Sequence, residues 1–220
     1  MAIERTGTYI QIDSWNETGS QSITVPNDAE LMLVFIGGYS VAGVNWMEAG
    51  EYSLNSVSLS LIAHTSDQTD NEQVAAWRLV NPATGSQTFA WDHNTGASLG
   101  DGATFIILFY KGVNTSSPIR DSGTAGAAGD VTGVVFESGD MIVGAVGSYA
   151  SLITSADDDG QTEIVLTAAY NNLGMGVGEE LSEGDFYTTG GAYMSAVAVV
   201  IAAAASGGTS ILRQMIAHSE

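Results

Sequence analysis

The sequence predicts an all-β protein, an antiparallel β-sandwich or jelly roll of about ten to twelve strands with a short C-terminal tail. The first observation is composition, because Gly accounts for 27 of 220 residues while Lys and Glu, which fill the solvent faces of helices, are sparse. The second is spacing, since short apolar or alternating segments recur between clusters of Gly, Asn, Asp and Ser. The third is that no amphipathic helical pattern is found before residue 206.

In the first half of the chain, strands are predicted at 8–13, 21–25, 30–36, 53–64, 73–80, 86–91 and 103–111. The segments 30–36 and 103–111 are nearly all apolar, which is typical of strands buried on both faces. Gly37 and Gly38 predict a sharp change of direction of the chain directly after the segment 30–36. A tight turn is predicted at 81–85, where the sequence reads Asn-Pro-Ala-Thr-Gly.

In the second half, strands are predicted at 133–136, 141–149, 162–169, 185–189 and 192–204. Gly174, Gly176 and Gly178 have the spacing of a dinucleotide-binding loop, but no helical pattern follows them, so a flexible loop is predicted there. Residues 1–205 are expected to form one β-sandwich domain, and residues 206–220 a hinge and a docking tail.

The tail has a pattern of its own. After Ser-Gly-Gly at 206–208, four apolar residues fall on one face of a short helix, namely Ile211, Leu212, Met215 and Ile216. A helix of this length is not stable in isolation, so its apolar face must dock on a surface. Two surfaces remain open at this point, the chain's own sandwich or a neighbouring subunit that accepts the helix in a groove.

Charge restricts the partners. Asp and Glu total 25 against 5 Lys and Arg, which gives a net charge of −20. Such a surface repels phosphate backbones and anionic lipids, so neither nucleic acid nor membrane is an expected partner. Solubility in a salty medium and cation binding both remain open as explanations of the charge.

The chain contains no Cys, which excludes disulfides, thiolate catalysis and zinc–thiolate sites. Its first residues show no apolar signal-peptide core, and the longest apolar run, 196–205, is half the length of a membrane helix of about 20 residues. The protein is therefore expected to be made and kept in a cytoplasm, or to leave it when the cell lyses.

Two stretches carry a family resemblance. They are Ala-Trp-Arg-Leu-Val-Asn-Pro-Ala-Thr-Gly-Ser-Gln-Thr at 76–88 and Ile-Ile-Leu-Phe-Tyr-Lys-Gly-Val-Asn at 106–114, the latter followed by Ser-Pro-Ile-Arg at 117–120. With Ile-Thr-Val-Pro at 23–26 upstream, the pattern resembles a β-sandwich domain of tailed-phage virion proteins and bacterial surface proteins, similar in outline to the concanavalin-A-like jelly roll. The resemblance covers residues 20–205 and implies a fold and a setting in the virion, assembled in the host cytoplasm. It implies no catalytic residue.

The densest acidic cluster is Asp-Asp-Asp-Gly at 157–160. Adjacent carboxylates in a Gly-containing loop suit calcium, and Asp157 and Asp159 are the expected ligands of a weak site. The alternative is a solvated acidic loop.

Two tryptophans, Trp15 and Trp46, lie in polar, Gly- and Asn-rich surroundings near predicted turns. Exposed Trp beside polar groups is typical of glycan sites and serves equally as an anchor at a protein interface, while packing at the end of the sandwich is the third interpretation.

No catalytic or cofactor-binding motif is found, so the chain is not expected to be an enzyme. The leading hypothesis is a virion structural protein, a capsid decoration or cement protein that forms a homo-oligomer, expected as a trimer, on the major capsid protein or another virion protein. The alternative is a lectin-like carbohydrate-binding module or the receptor-binding domain of a tail fibre. An enzyme that cleaves glycans would need two carboxylates to converge in space.

Overall fold

The structure is a computed structural model, and it describes residues 2–39, 50–66, 72–93, 102–125, 131–149, 162–170, 173–180 and 194–204. Within these ranges every regular element is a β-strand and every strand pairing is antiparallel, which confirms the predicted fold class. Over the same ranges, the protein has no helix of the length and apolar character that crossing a membrane requires.

Fifteen strands lie in the described residues. They are β1 (Glu4–Arg5), β2 (Ile10–Ser14), β3 (Thr18–Val25), β4 (Leu31–Tyr39), β5 (Glu51–Leu54), β6 (Val57–Ser58), β7 (Ser60–Ser66), β8 (Glu72–Val80), β9 (Gly85–Asp92), β10 (Ala103–Lys111), β11 (Ile119–Ala125), β12 (Met141–Tyr149), β13 (Thr162–Tyr170), β14 (Leu173–Glu180) and β15 (Met194–Ile201).

The strands form three sheets. The central sheet has the order β1-β10-β4-β8-β7, with β2 also pairing with β10. The small sheet has the order β3-β9-β5-β6, and the five-stranded sheet has the order β11-β15-β12-β14-β13. Buried side chains join the central sheet to each of the other two, so the sandwich has three layers.

The middle position of the central sheet explains its apolar strands. Side chains alternate between the two faces of a strand. In β4, Met32, Val34 and Ile36 pack toward the small sheet. Leu31, Leu33 and Phe35 pack toward the five-stranded sheet. The alternation repeats in β10, so the prediction that the segments 30–36 and 103–111 are buried on both faces is confirmed.

The predicted change of direction at Gly37 and Gly38 is wrong, because β4 continues through both residues to Tyr39. A Cβ atom on Gly37 would lie 3.2 Å from the Sδ atom of Met175 in the five-stranded sheet. Gly37 therefore admits a close approach of two sheets, and its conformational freedom is not used for a turn.

The single strand predicted at 53–64 is also wrong. The chain forms strands β5, β6 and β7 there, with a tight turn at Asn55 and Ser56, whose φ angles are 47° and 66°. Paired positive φ values are typical of the two-residue turns that join antiparallel strands with the correct twist. The predicted turn at 81–85 is confirmed, with positive φ at Asn81 and Gly85.

The flexible loop predicted around Gly176 is strand β14, paired on both sides with β12 and β13. Met175 and Val177 point into the core toward the central sheet, so the residues between the glycines carry the packing. The strand predicted at 133–136 is absent, since that stretch is irregular and lays Val134 and Phe136 over the second face of the five-stranded sheet.

A prediction follows from the contact between the central and five-stranded sheets. A Cβ atom on Gly147 would lie 2.7 Å from Cγ2 of Val74. We expect Gly147→Ala to lower the free energy of unfolding by about 1–3 kcal/mol through overpacking, as measured by urea denaturation. Because Val74→Ala removes the atom that collides, the double variant should recover stability relative to the sum of the single changes. If the two single losses of stability simply add in the double variant, the close contact between residues 147 and 74 is contradicted.

Candidate interaction site

The last residues that the structure describes, 202–204, are held against the sandwich by backbone hydrogen bonds. The backbone N–H of Ala202 donates to the carbonyl of Pro118 at 2.8 Å, and that of Ala204 donates to the carbonyl of Gly112 at 2.9 Å. Ala203 forms an isolated antiparallel bridge with Val113. The last residues before the predicted hinge are therefore held by the connection between β10 and β11.

A buried carboxylate reinforces this point. Asp140 precedes β12, and its side chain is 1% exposed. It accepts hydrogen bonds from Nε and Nη2 of Arg120 in β11, the latter at 3.3 Å. It also accepts the backbone N–H of Glu137 at 3.0 Å and that of Ala203 at 3.1 Å. We call Asp140, Arg120 and these two N–H groups the Asp140 clamp.

The electrostatics of the clamp favour the ionised pair. Burial by itself raises the pKa of Asp140, but the hydrogen bonds from Arg120, Ala203 and Glu137 outweigh it, so the pKa lies below its ordinary value of 3.8. The hydrogen bond to Asp140 raises the pKa of Arg120. A carboxylate that receives four donors holds three segments together, namely β11, the turn before β12 and the chain after β15.

Trp15, the first predicted contact residue, lies on an ordered turn after β2 and is 40% exposed. The two residues that flank Trp15 in the sequence, Ser14 and Asn16, are held by hydrogen bonds. Ser14 Oγ accepts the N–H of Asn16 at 3.1 Å, and the carbonyl of Asn16 accepts Nε1–H of the buried Trp91 at 3.3 Å. Trp15 thus presents part of a large ring from a fixed backbone, which suits a partner contact.

The outer face of the small sheet is lined by hydroxyl groups. Its outward residues include Thr18, Ser20, Ser22 and Thr24 of β3, Ser86 and Thr88 of β9, and Ser53 of β5. At one end of this face, Glu51 of β5 lies directly opposite Asp92 of β9. A shallow groove of about 320 Å³ runs between these carboxylates and Ser58. The sequence did not reveal this face, because β3 was expected to start at residue 21 and β5 to continue to residue 64.

Tyr52 and His93 are brought together in the core. The hydroxyl of Tyr52 lies 3.0 Å from Nδ1 of His93, and the imidazole stacks on Phe105 with 5.7 Å between ring centres. Burial lowers the pKa of His93 to about 4, although Asp92 and Glu17 favour its charged form. Burial raises the pKa of Tyr52. Both side chains are closed off from solvent, so they act in packing.

The remaining predicted contact and ligand residues lie outside the described residues. They are Trp46, Asp157, Asp159, Ile211, Leu212, Met215 and Ile216. Among the residues that the structure does describe, no group of three or more His, Cys, Asp or Glu is arranged to hold a metal ion. Calcium at Asp157 and Asp159 therefore stays a prediction.

The geometry defines the class of this protein as an acidic, antiparallel β-sandwich of three sheets. Comparison with protein-family profiles, with curated proteins and with solved structures finds no match.

Proposed function

We propose that this chain is a non-enzymatic structural protein of a tailed-phage particle, a decoration or cement protein that stabilises the particle surface as a homo-oligomer, expected as a trimer. Its binding partner is the major capsid protein or another virion protein. The observation that carries the proposal is the anchoring of Ala202–Ala204 to the sandwich by hydrogen bonds, immediately before a predicted hinge and apolar tail.

The clamp supports this function for a mechanical reason. A tail that docks on a neighbour transmits force to its own domain through the residue where it leaves that domain. Here that residue, Ala203, is bonded to the buried carboxylate of Asp140, which also binds the side chain of Arg120. A docked tail would therefore pull on a point of the three-layer core that hydrogen bonds hold in place.

Charge is compatible with the setting. With a net charge of −20, the protein is repelled by packaged nucleic acid. It can therefore cover a protein shell without binding the nucleic acid inside. The resemblance of residues 76–88 and 106–120 to phage sandwich domains is the second support.

Particles assembled without this protein test the proposal. We expect them to form, to lack this chain by mass spectrometry, and to release their nucleic acid at a lower temperature than complete particles. Adding the purified protein back should restore the release temperature, because binding to the assembled shell stabilises it by mass action. Unchanged thermal release, or absence of the chain from purified complete particles, would refute the proposal.

Carbohydrate binding is the second candidate, and the groove beside Glu51 and Asp92 favours it. Carboxylates accept hydrogen bonds from sugar hydroxyls, and the serine hydroxyls of the groove can both donate and accept them. A glycan panel screened with calcium present should then give binding that Glu51→Gln weakens, because Glu51 lines the groove. Val135→Ala is the control, since Val135 is also exposed. A negative panel contradicts this candidate.

A further inference from the structure

The edges of the three sheets are protected in different ways. An unpaired edge strand is a template for another strand, and proteins guard it with charges, bulges or short length. Among the described edge strands, β1 carries Glu4 and Arg5, β2 carries Asp13, and β13 carries Glu163. The strand β6 has only two residues. The edges of β7 and β11 lie beside each other, with Arg78, Arg120 and Asp121 between them.

The strand β3 is different. It is eight residues long and has no charged residue and no Pro. Its register with β9 runs without interruption from Thr18 to Val25, so it contains no bulge. On its other side, no strand of the described residues pairs with it. Gln21 and Ser22, at its centre, are exposed.

A groove of about 390 Å³ runs beside the open edge of β3. One wall is formed by Ile23 and Pro26, and the other by Gly7 and Ile10 on the way into β2. None of the residues that line the groove carries a charge. Within the described part of the chain, the edge and the groove together leave room for one more extended strand.

We propose that a second copy of this chain fills this place, with β3 of each copy pairing antiparallel about a two-fold axis. This inference rests on the proposal that the chain acts as a homo-oligomer. Directly opposite residues in an antiparallel pair point to the same face. The axis must therefore pass beside a residue, either Gln21 or Ser22, for the hydroxyl rows of the two copies to share one face.

Both registers place hydroxyl residues opposite each other on the outer face. With Ser22 opposite its symmetry mate, Ser20 faces Thr24 on the outer side, and Gln21 faces Ile23 on the inner side. With Gln21 opposite its mate, Thr18 faces Thr24 and Ser20 faces Ser22. Hydroxyl pairs across strands are stabilising, and Ser22 already contacts Ser86 of β9 through their Oγ atoms at 3.2 Å.

Charge selects this strip as the contact. Two copies of a chain with a net charge of −20 repel each other over most of their surfaces. Residues 6–12 and 18–27, which include the whole of β3 and every residue that lines the groove, contain no Asp or Glu. An approach along this strip places no carboxylates opposite each other in the paired strands.

The absence of Cys from the chain makes the test direct. Single-cysteine variants Gln21→Cys and Ser22→Cys place one thiol at each candidate axis, where opposite Cα atoms are close enough for a disulfide. The control is Thr88→Cys, which is the neighbour of Ser22 on the same outer face but lies one strand farther from the edge.

Under mild oxidation of the full-length protein, we expect one of the two edge variants to form a disulfide-linked dimer about tenfold or more faster than Thr88→Cys. Equal rates for all three variants would overturn the inference, as they would show random collision or another occupant of the edge. Cross-linking measures proximity and not oligomer size. It therefore fails or succeeds independently of the tail, whether the two-fold contact forms a dimer or joins two trimers.

Discussion

Replacing Asp140 with Ala should lower the free energy of unfolding by about 3 kcal/mol, measured by urea denaturation followed by tryptophan fluorescence. The carboxylate receives four hydrogen bonds in a site where it is 1% exposed. Its removal leaves the Arg120 guanidinium without its buried partner and the N–H groups of Glu137 and Ala203 unsatisfied. The loss comes mainly from the two N–H groups, because Arg120 is 27% exposed and keeps its contact with Glu137.

Glu137→Gln is the matched control. The carboxylate of Glu137 lies 3.0 Å from the same guanidinium, but its side chain is 63% exposed. A solvent-exposed pair of this kind contributes at most about 1 kcal/mol. Equal losses for the two variants would show that the clamp is a surface ion pair and not an anchor.

Acid should destabilise the protein through His93. The ordinary pKa of His is 6.5, and burial lowers the pKa of His93 to about 4. Between these two values the unfolded chain binds a proton at His93 and the folded chain does not, so stability is retained above pH 6.5 and falls as the pH approaches 4. At pH 4, the lowered pKa of His93 should have reduced the free energy of unfolding by about 3 kcal/mol relative to neutral pH.

The comparison with His93→Gln isolates this effect. The carboxylates of the chain titrate in both proteins, so their contribution cancels in the difference between the two stability curves. We expect the advantage of the wild type over the variant to shrink by about 3 kcal/mol between pH 7 and pH 4. Parallel curves over that interval would contradict the lowered pKa.

Much of the fold was accessible from the sequence, since the determining signals are local. Continuous apolar runs in β4 and β10 indicated burial on both faces, and Asn81 to Gly85 indicated a turn. The third sheet was not accessible, because an apolar face does not reveal what covers it. The turn at Asn55 and Ser56 was missed because Ser is not a typical residue for a φ of 66°.

The candidate site was accessible only in part. Trp15 was predicted from its polar surroundings, and the structure places it on an exposed turn. The Asp140 clamp has no local pattern, since Asp140 lies 20 residues from Arg120 and 63 from Ala203. The open edge of β3 depends on sheet order, which a strand's own sequence does not contain.

The mass of the intact protein in solution tests most directly whether the chain assembles into a homo-oligomer through its tail. Light scattering on a size-exclusion column should give three times the chain mass of 22.7 kDa, or six times where the β3 contact joins two trimers, and neither mass should change with a calcium chelator. Removal of residues 206–220 should reduce it, because the apolar face of the tail then no longer docks on a neighbour. A mass of 22.7 kDa for the intact chain would contradict assembly through the tail.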